Sequence, residues 1–450
     1  MAERYTVDIT SLTHEGHGVA KVDGYTIFIP GALIGEQVIC EIARKEKNYG
    51  FANLINVITP SKYRVIPPCP IFGMCGGCEI MHLEYSKQLD FKKQMIESTF
   101  TRIGHLDLKV DEVIGMENPY YYRNKVQIPF GIRHQKAICG YYQRKSHDII
   151  PLESCHVQTD EMSEIIIAIK DMLNEFRVTC YDETRHTGCL RHVMLRRNQK
   201  NQIMVVLITY EDKMKGIGEI IHRLTMRFPS IVTMIQNMNH KTTNVILGNQ
   251  SRVLYGDGIL VDQIGNISYR ISHYSFYQVN SIQTKVLYDC VVKYLNPNSN
   301  DVILDGYCGV GTISLYLAKH VKRVIGIEIV PEAIQDAIEN ATLNHIDNAQ
   351  FVVGKVEEVI KEMLEKESIS ALVLDPPRKG LDPAVINAIL STNIPKIVYV
   401  SCDVATLARD LALFAPNYTI EKVTAIDMFP HTCDVETVVT LNQREENTIL

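Results

Sequence analysis

The sequence predicts an α/β protein in three parts: a small OB-type β-barrel over residues 1–60, an α+β middle over 61–270, and a mostly parallel sheet with helices on both faces over 271–450. Three observations carry this. The first part breaks into short strand-like runs at 5–9, 18–22, 25–30, 36–43 and 51–58, separated by glycine turns, as in a small closed barrel. In the last part, apolar runs at 302–304, 324–327, 351–353, 371–374 and 397–400 alternate with helical stretches, the signature of parallel strands joined by crossover helices. Between them, Tyr85, Leu89, Ile96, Phe100 and Ile103 recur at helical multiples, which predicts a helix over 83–104 closed by Gly104 and available to pack on the third part. Residues 62–70, with Pro67, Pro68 and Pro70, form a stiff connector. Residues 119–270 read as strands and turns around one helix at 161–176.

Composition narrows the function classes. With 46% apolar and 22% charged residues the chain is an ordinary globular protein. No apolar run reaches membrane-spanning length, and the first residues show no apolar signal region, so the cytoplasm is the expected location. Twelve cysteines, three of them clustered, do not suggest a disulfide scaffold. The net charge of −6 argues against a uniformly basic surface, yet charge is uneven. Residues 121–150 hold Arg123, Lys125, Arg133, Lys136, Arg144 and Lys145 against the single acid Asp148. The run from Arg185 to Lys200 holds Arg191, Arg196 and Arg197 and no acid, so it is expected to lie against the phosphates of a polyanion.

The chemistry-bearing residues of the third part fall at the carboxyl ends of its strands, where ligands bind in such sheets. Asp305-Gly306-Tyr307-Cys308-Gly309-Val310-Gly311 opens a helix with a glycine turn that lets a ligand approach the backbone. Glu328, at the end of the next strand, stands where an acid takes ribose hydroxyls, and the imperfect dinucleotide pattern favours S-adenosylmethionine over NAD. In Asp375-Pro376-Pro377-Arg378 two prolines stiffen the loop behind Asp375, and Arg378 stands where amine methyltransferases carry a stacking aromatic. Ser275-Phe276-Tyr277-Gln278 places an aromatic and an amide side by side, suited to a flipped base. A lone cysteine such as Cys402 is ordinarily a core residue. Set beside Glu436 on neighbouring strand ends, it meets the demands of carbon methylation on a pyrimidine, a thiolate for C6 and a base for the C5 proton.

Cys69, Cys75 and Cys78 form C-x5-C-x2-C in a loop rich in proline and glycine, a metal-ligand pattern. Cys155 is the best fourth ligand, with Cys139 and His156 as alternatives, and all-thiolate ligation suits an iron–sulfur cluster or zinc.

Together these segments resemble the RNA uracil-C5 methyltransferase family over nearly the whole chain. The resemblance implies a TRAM domain at 1–60, a central RNA-binding part with an iron–sulfur loop at 61–270, and a Rossmann-like class I methyltransferase domain at 271–450. It implies Cys402 as nucleophile and Glu436 as general base. Gln278, Tyr307, Glu328 and Asp375 fall on S-adenosylmethionine or target-base positions, and Cys69, Cys75, Cys78 and Cys155 on 4Fe-4S ligands. The implied partner is 23S ribosomal RNA, with transfer RNA as runner-up and the chain acting as a monomer. Two positions depart from the family pattern: Val404 where proline is frequent, and Asp434 where histidine is common, an added carboxylate expected to raise the pKa of Glu436. A radical enzyme with a TRAM domain would need C-x3-C-x2-C, which is absent, and an RNA-binding protein without catalysis would not need Cys402, Asp375 and Glu436 together.

Overall fold

A computed structural model describes residues 3–444; the ends of the first and third parts, 1–2 and 445–450, lie outside the described residues. The N-terminal sheet consists of β1 (Arg4–Asp8), β2 (Ser11–Leu12), β3 (Gly18–Val22), β4 (Tyr25–Ile29), β5 (Gln37–Lys45) and β6 (Tyr49–Thr59), in the order β1-β5-β6-β4-β3-β2. The sheet closes on itself where Thr10 N donates to the Val19 carbonyl at 2.9 Å. The two-residue β2 is the strand that the sequence pattern does not reveal. Buried Glu36 fastens the barrel to the proline connector: it accepts from Arg64 Nε at 2.6 Å, Leu33 N at 2.8 Å and Ser61 N at 3.1 Å. Burial pushes its carboxyl up, but these donors outweigh that and hold it below the usual range.

Helix α1 (Tyr85–Thr99) continues as a π turn over Phe100–Gly104 and leads to β7 (Glu112–Ile114). Gly104 lies so close to the chain that a Cβ there would stand 2.8 Å from the Ala408 carbonyl oxygen, so the position demands glycine for packing, whereas the helix is closed not by Gly104 but by His105, in the left-handed conformation at φ +52°.

The central sheet is formed by β8 (Lys125–Arg133), β9 (Lys136–Tyr142), β10 (Ile149–Pro151), β11 (Leu190–Arg197), β12 (Ile203–Thr209), β13 (Ile231–Met238) and β14 (Gln250–Tyr255). Their order is β10-β9-β8-β11-β12-β13-β14, with α2 (Asp160–Phe176) and α3 (Ile217–Arg227) packed on one face. This corrects one expectation. β11 is the middle strand and is covered on both faces, so Arg191 and Arg196 are not a phosphate surface, while Arg185 and Lys200 are exposed beyond its two ends and Arg197 is half-buried. Arg196 is buried and donates to the Ser275 carbonyl, while Arg191 donates to the carbonyls of Asn239 at 2.9 Å and Lys241 at 2.6 Å. These guanidiniums satisfy carbonyl groups that would otherwise be buried without donors.

The remaining elements are the hairpin β15 (Leu260–Ile264) and β16 (Ile267–Ile271), then α4 (Ser281–Leu295), β17 (Val302–Gly306), α5 (Thr312–Ala318), β18 (Arg323–Glu328), α6 (Pro331–Leu343), β19 (Ala349–Val353) and α7 (Val356–Lys366). There follow β20 (Ala371–Leu374), α8 (Pro383–Leu390), β21 (Lys396–Ser401), α9 (Val404–Phe414), β22 (Tyr418–Ile426) and β23 (Glu436–Gln443). The sheet order is β19-β18-β17-β20-β21-β23-β22-β7. The five expected strands are parallel, and chain order reverses between β17 and β20, which opens a crevice at their carboxyl ends. β23 then runs antiparallel between β21 and β22. Two segments from the amino-terminal side of the 270/271 border also join this layer. β7 pairs with β22, and the hairpin buries Ile264, Ile267, Tyr269 and Ile271 in the same core as α4 and β17.

Helix α1 packs on this sheet through Ile96 and Phe100 and is locked there by a fully buried ion pair. Lys92 Nζ lies 2.5 Å from Asp427 Oδ1 and donates to the Phe429 carbonyl at 3.1 Å; Tyr85 OH donates to Asp427 Oδ2 at 2.7 Å. Lys92→Met leaves the Asp427 charge without its cation and should lower stability by about 3–5 kcal/mol in urea unfolding at neutral pH. Lys92→Met with Asp427→Leu should recover much of that loss. Equal stability of wild type and Lys92→Met would show that the pair is not formed.

Candidate active site

The register of β21 against β23 assembles the centre. Ser401 is paired with Thr437, so Cys402, one residue beyond the strand, lies opposite Glu436, the first residue of β23. The turn that presents Cys402 is pinned on both sides. Ser401 Oγ accepts from Asp403 N at 3.2 Å, and the Asp403 side chain caps α9 by accepting from Thr406 N at 2.9 Å. The neighbouring β20 ends one residue before Asp375, whose Pro-Pro-Arg loop is tied to α9. Thr406 Oγ1 donates to the Arg378 carbonyl at 3.2 Å, Arg409 Nη2 to the Lys379 carbonyl at 3.1 Å, and Leu381 N to Asp410 Oδ2 at 2.9 Å. Arg409 and Asp410 thus shape the loop that carries Asp375, a task invisible in their sequence positions.

Electrostatics in this corner are dominated by buried negative charge. Burial raises the pKa of Glu436, and Asp375 and Asp434 raise it further while Arg378 opposes them. Burial raises Asp375 as well. The expected influence of Asp434 is therefore present, tempered by Arg378, whose Nη2 stands 3.6 Å from Asp434 Oδ2. The Cys402 thiol is pushed up to about 11 by burial and by the Glu436 and Asp375 charges. A cationic ligand beside these groups would lower all three, which suits the positively charged sulfur of S-adenosylmethionine.

At the crevice, Tyr307 takes a left-handed backbone conformation (φ +68°) and turns the chain away from β17. Glu328 is held at its strand end by the turns around it, accepting from Gly309 N at 3.2 Å and Val330 N at 3.0 Å. Asp305, at the end of the preceding strand, is fully buried and accepts from Ser314 Oγ, so it braces the turn, whereas Glu328 is half-buried at its strand end. Ser275 Oγ donates to Asp336 of α6 at 2.8 Å, which brings the Phe276–Gln278 segment beside the helix that follows Glu328. Phe276 is 71% exposed there, an apolar ring left open to a ligand, and the Gln278 carbonyl accepts from Asn124 Nδ2 at 3.0 Å.

A groove of about 640 Å³ leads to Cys402. Its walls come from distant segments: His14 of the barrel, Arg102 of the π turn, Arg144 of the central sheet, and Arg378 and Asp434 of the catalytic loops. No sequence pattern joins Arg102 and Arg144 to the site, since only folding brings these segments together.

The four cysteines Cys69, Cys75, Cys78 and Cys155 line a second cavity of about 400 Å³, shared with His156. Cys139 instead packs in the core beneath α2. Among the described residues no three His, Cys, Asp or Glu side chains are gathered closely enough to hold a single metal ion. Donors nonetheless converge on sulfur: Gly77 N lies 3.3 Å from Cys75 Sγ, and the Val157 and Gln158 N–H groups and Tyr141 OH favour the Cys155 thiolate against the upward push of burial.

Comparison with known proteins agrees with this geometry. A family model described as tRNA (uracil-5-)-methyltransferase matches residues 84–444. The chain belongs to this family. A TRAM domain model matches residues 2–55. Proteins named as RNA methyltransferases are similar over nearly their full length: one from Clostridium tetani is 45% identical over 97% of this chain and 95% of its own, and one from Staphylococcus aureus is 42% identical over 97% of both. The crystal structure of Pyrococcus abyssi tRNA (uracil-54, C5)-methyltransferase in complex with S-adenosyl-L-homocysteine superposes with a TM-score of 0.80 at 27% identity, covering 97% of this chain and 99% of that one. The protein is an S-adenosylmethionine-dependent RNA methyltransferase with a TRAM barrel. No described helix is long and apolar enough to cross a membrane.

The elevated thiol yields a direct test. Alkylation of Cys402, followed by mass spectrometry of its peptide, should be slow at neutral pH and accelerate towards about pH 11. Glu436→Gln removes a charge that raises the thiol pKa, so the profile should move to lower pH. An unmoved profile would mean that the Glu436 charge does not reach the sulfur.

Proposed function

We propose that the enzyme methylates C5 of a uridine in 23S ribosomal RNA through a transient covalent bond between Cys402 and C6 of the base. The observation that carries this reading is the pairing of Cys402 and Glu436 across the β21–β23 register, with Cys402 in a groove whose walls carry Arg102, Arg144 and Arg378 beside Glu15, Glu79, Asp403 and Asp434. RNA enters along that groove, with Arg102, Arg144 and Arg378 meeting phosphates and a flipped uridine reaching Cys402. The Cys402 thiolate adds to C6, and the electron pair of the C5–C6 double bond moves onto C5 and the carbonyl oxygen. Gln278, Tyr307, Glu328 and Asp375 would hold S-adenosylmethionine so that C5 attacks its methyl group, the S–CH3 bond breaks and S-adenosylhomocysteine leaves with the bonding pair. Glu436 removes the C5 proton, the C6–S bond breaks, the double bond returns and the thiolate is released. A carboxylate with a raised pKa is suited to accepting that proton near neutral pH. In this reading the enzyme is a cytoplasmic monomer.

Cys69, Cys75, Cys78 and Cys155 hold a 4Fe-4S cluster in this reading. Four thiols line one cavity, and all-thiolate ligation suits such a cluster. The cluster orders the loop it anchors and takes no part in methyl transfer. The ribosomal substrate rests on the resemblance of the full cysteine set to enzymes that act on 23S RNA. Transfer RNA is the second reading, favoured by the Pyrococcus abyssi structure, which is a transfer-RNA enzyme.

Cys402→Ala should abolish methylation while RNA and S-adenosylmethionine still bind. Glu436→Gln should allow addition and methyl transfer but stall elimination, leaving methylated RNA attached to the protein on a denaturing gel. Normal turnover by either variant would rule out the covalent route. Protein purified without oxygen should be brown and carry about four irons per chain. Cys69→Ser, Cys75→Ser, Cys78→Ser or Cys155→Ser should each bleach it, and Cys139→Ser should not; stoichiometric zinc in colourless protein would replace the cluster with a zinc site.

A further inference from the structure

The segment that delivers Glu436 is gripped by the loop that carries the cysteines. Residues 427–435 join β22 to β23 and bear Asp434 just before the base. The two residues after Cys78 turn their N–H groups onto this segment: Glu79 N and Ile80 N both donate to the His431 carbonyl, each at 3.0 Å. Cys433 N donates back to Glu79 Oε2 at 3.3 Å, and Glu79 Oε1 stands 3.6 Å from Arg144 Nη2. Tyr122 OH donates to the Pro430 carbonyl at 3.0 Å, and the Tyr120 ring stacks on His431 with centroids 4.6 Å apart. From the other side, Gln88 of α1 accepts from His431 N at 3.0 Å. His431 is held at φ +70°, a left-handed conformation that persists in a residue with a side chain only when its surroundings enforce it.

We propose that Glu79 is a positioning residue that holds the 429–435 loop, and through it Glu436, opposite Cys402, so that the geometry of the base depends on the order of the cysteine loop. The proposal rests on reading Cys402 and Glu436 as nucleophile and base. The Glu79 carboxylate bridges Arg144 on the central sheet and Cys433 on the catalytic loop, and the backbone at residues 79 and 80 closes the link to Cys78. A base displaced by about 1 Å loses on the order of 100-fold in rate, so a small slip of this loop is enough to stall proton removal.

The test uses the full chain in four variants. Glu79→Ala should raise amide hydrogen exchange in peptides spanning 429–435 while peptides covering 396–401 stay protected. It should lower kcat by roughly 10- to 100-fold with KM for RNA little changed, and let the protein–RNA adduct accumulate because elimination lags. Glu79→Gln, whose amide oxygen still accepts from Cys433 N, should restore most of the protection and rate. Tyr122→Phe keeps the ring and removes only the hydroxyl, so it should give a milder rise in exchange over the same peptides. Cys75→Ser should loosen 71–80 and 429–435 together. Unchanged exchange over 429–435 in both Glu79→Ala and Tyr122→Phe, or a Cys75→Ser variant that loosens 71–80 alone, would overturn the proposal. Loosening of 429–435 in Glu79→Ala, combined with no adduct from Glu436→Gln, would uphold the clamp and remove the covalent route instead.

Discussion

Strand β23 enters the catalytic sheet antiparallel between β21 and β22, and its first residue is Glu436. Because side chains alternate along a strand, a slip of one residue in this pairing would turn Glu436 away from Cys402 and bury its neighbour in its place. The register is held by the apolar residues that follow: Val438, Val439 and Leu441 are fully buried on the two faces of the sheet, and each belongs to a helix-covered core. The geometry at the reacting atoms is thus fixed by burial several residues away.

That placement sets the chemistry. Asp375, Glu436 and Cys402 come from three adjacent strand ends and share a poorly hydrated corner, so each disfavours a negative charge on the others. The same crowding that raises the pKa of Glu436 makes Cys402 a reluctant thiolate in the free protein. Arg378, at the mouth, and a cationic methyl donor both act in the opposite sense. Reactivity therefore belongs to the assembled complex, which protects a thiol that would otherwise meet oxidants or electrophiles in solution.

The three layers of the molecule meet at the loop between β22 and β23. Helix α1 reaches it through Lys92 and Gln88, the cysteine loop through Glu79 and Ile80, and the central part through Tyr120 and Tyr122. The barrel arrives at the same place: a Cβ on Gly16 would stand 2.8 Å from Ile80 Cγ2 and 2.9 Å from Cys433 Sγ. The groove beside Cys402 is thus walled by segments far apart in the chain.

The sequence by itself determined what local pattern encodes. Alternation of apolar runs with helical stretches foretold the parallel strands β17 to β21 and glycine punctuation foretold the barrel, while the residue types at strand ends singled out Cys402, Glu436, Glu328 and Asp375 as candidates. Each rests on periodicity or on residues within a few positions of one another. Pairing between distant segments carried no such signal. The basic run of β11 read as a phosphate surface, and only its place in the middle of a covered sheet showed that Arg191 and Arg196 bond to carbonyls inside the protein. Asp305 and Glu328 read alike as strand-end acids, until packing buried the first against Ser314 and left the second half-buried, accepting from Gly309 N. β7 and the approach of Arg102, Arg144 and His14 to Cys402 were decided by tertiary structure alone, because burial and pairing belong to the whole chain, whereas a residue's chemistry is its own.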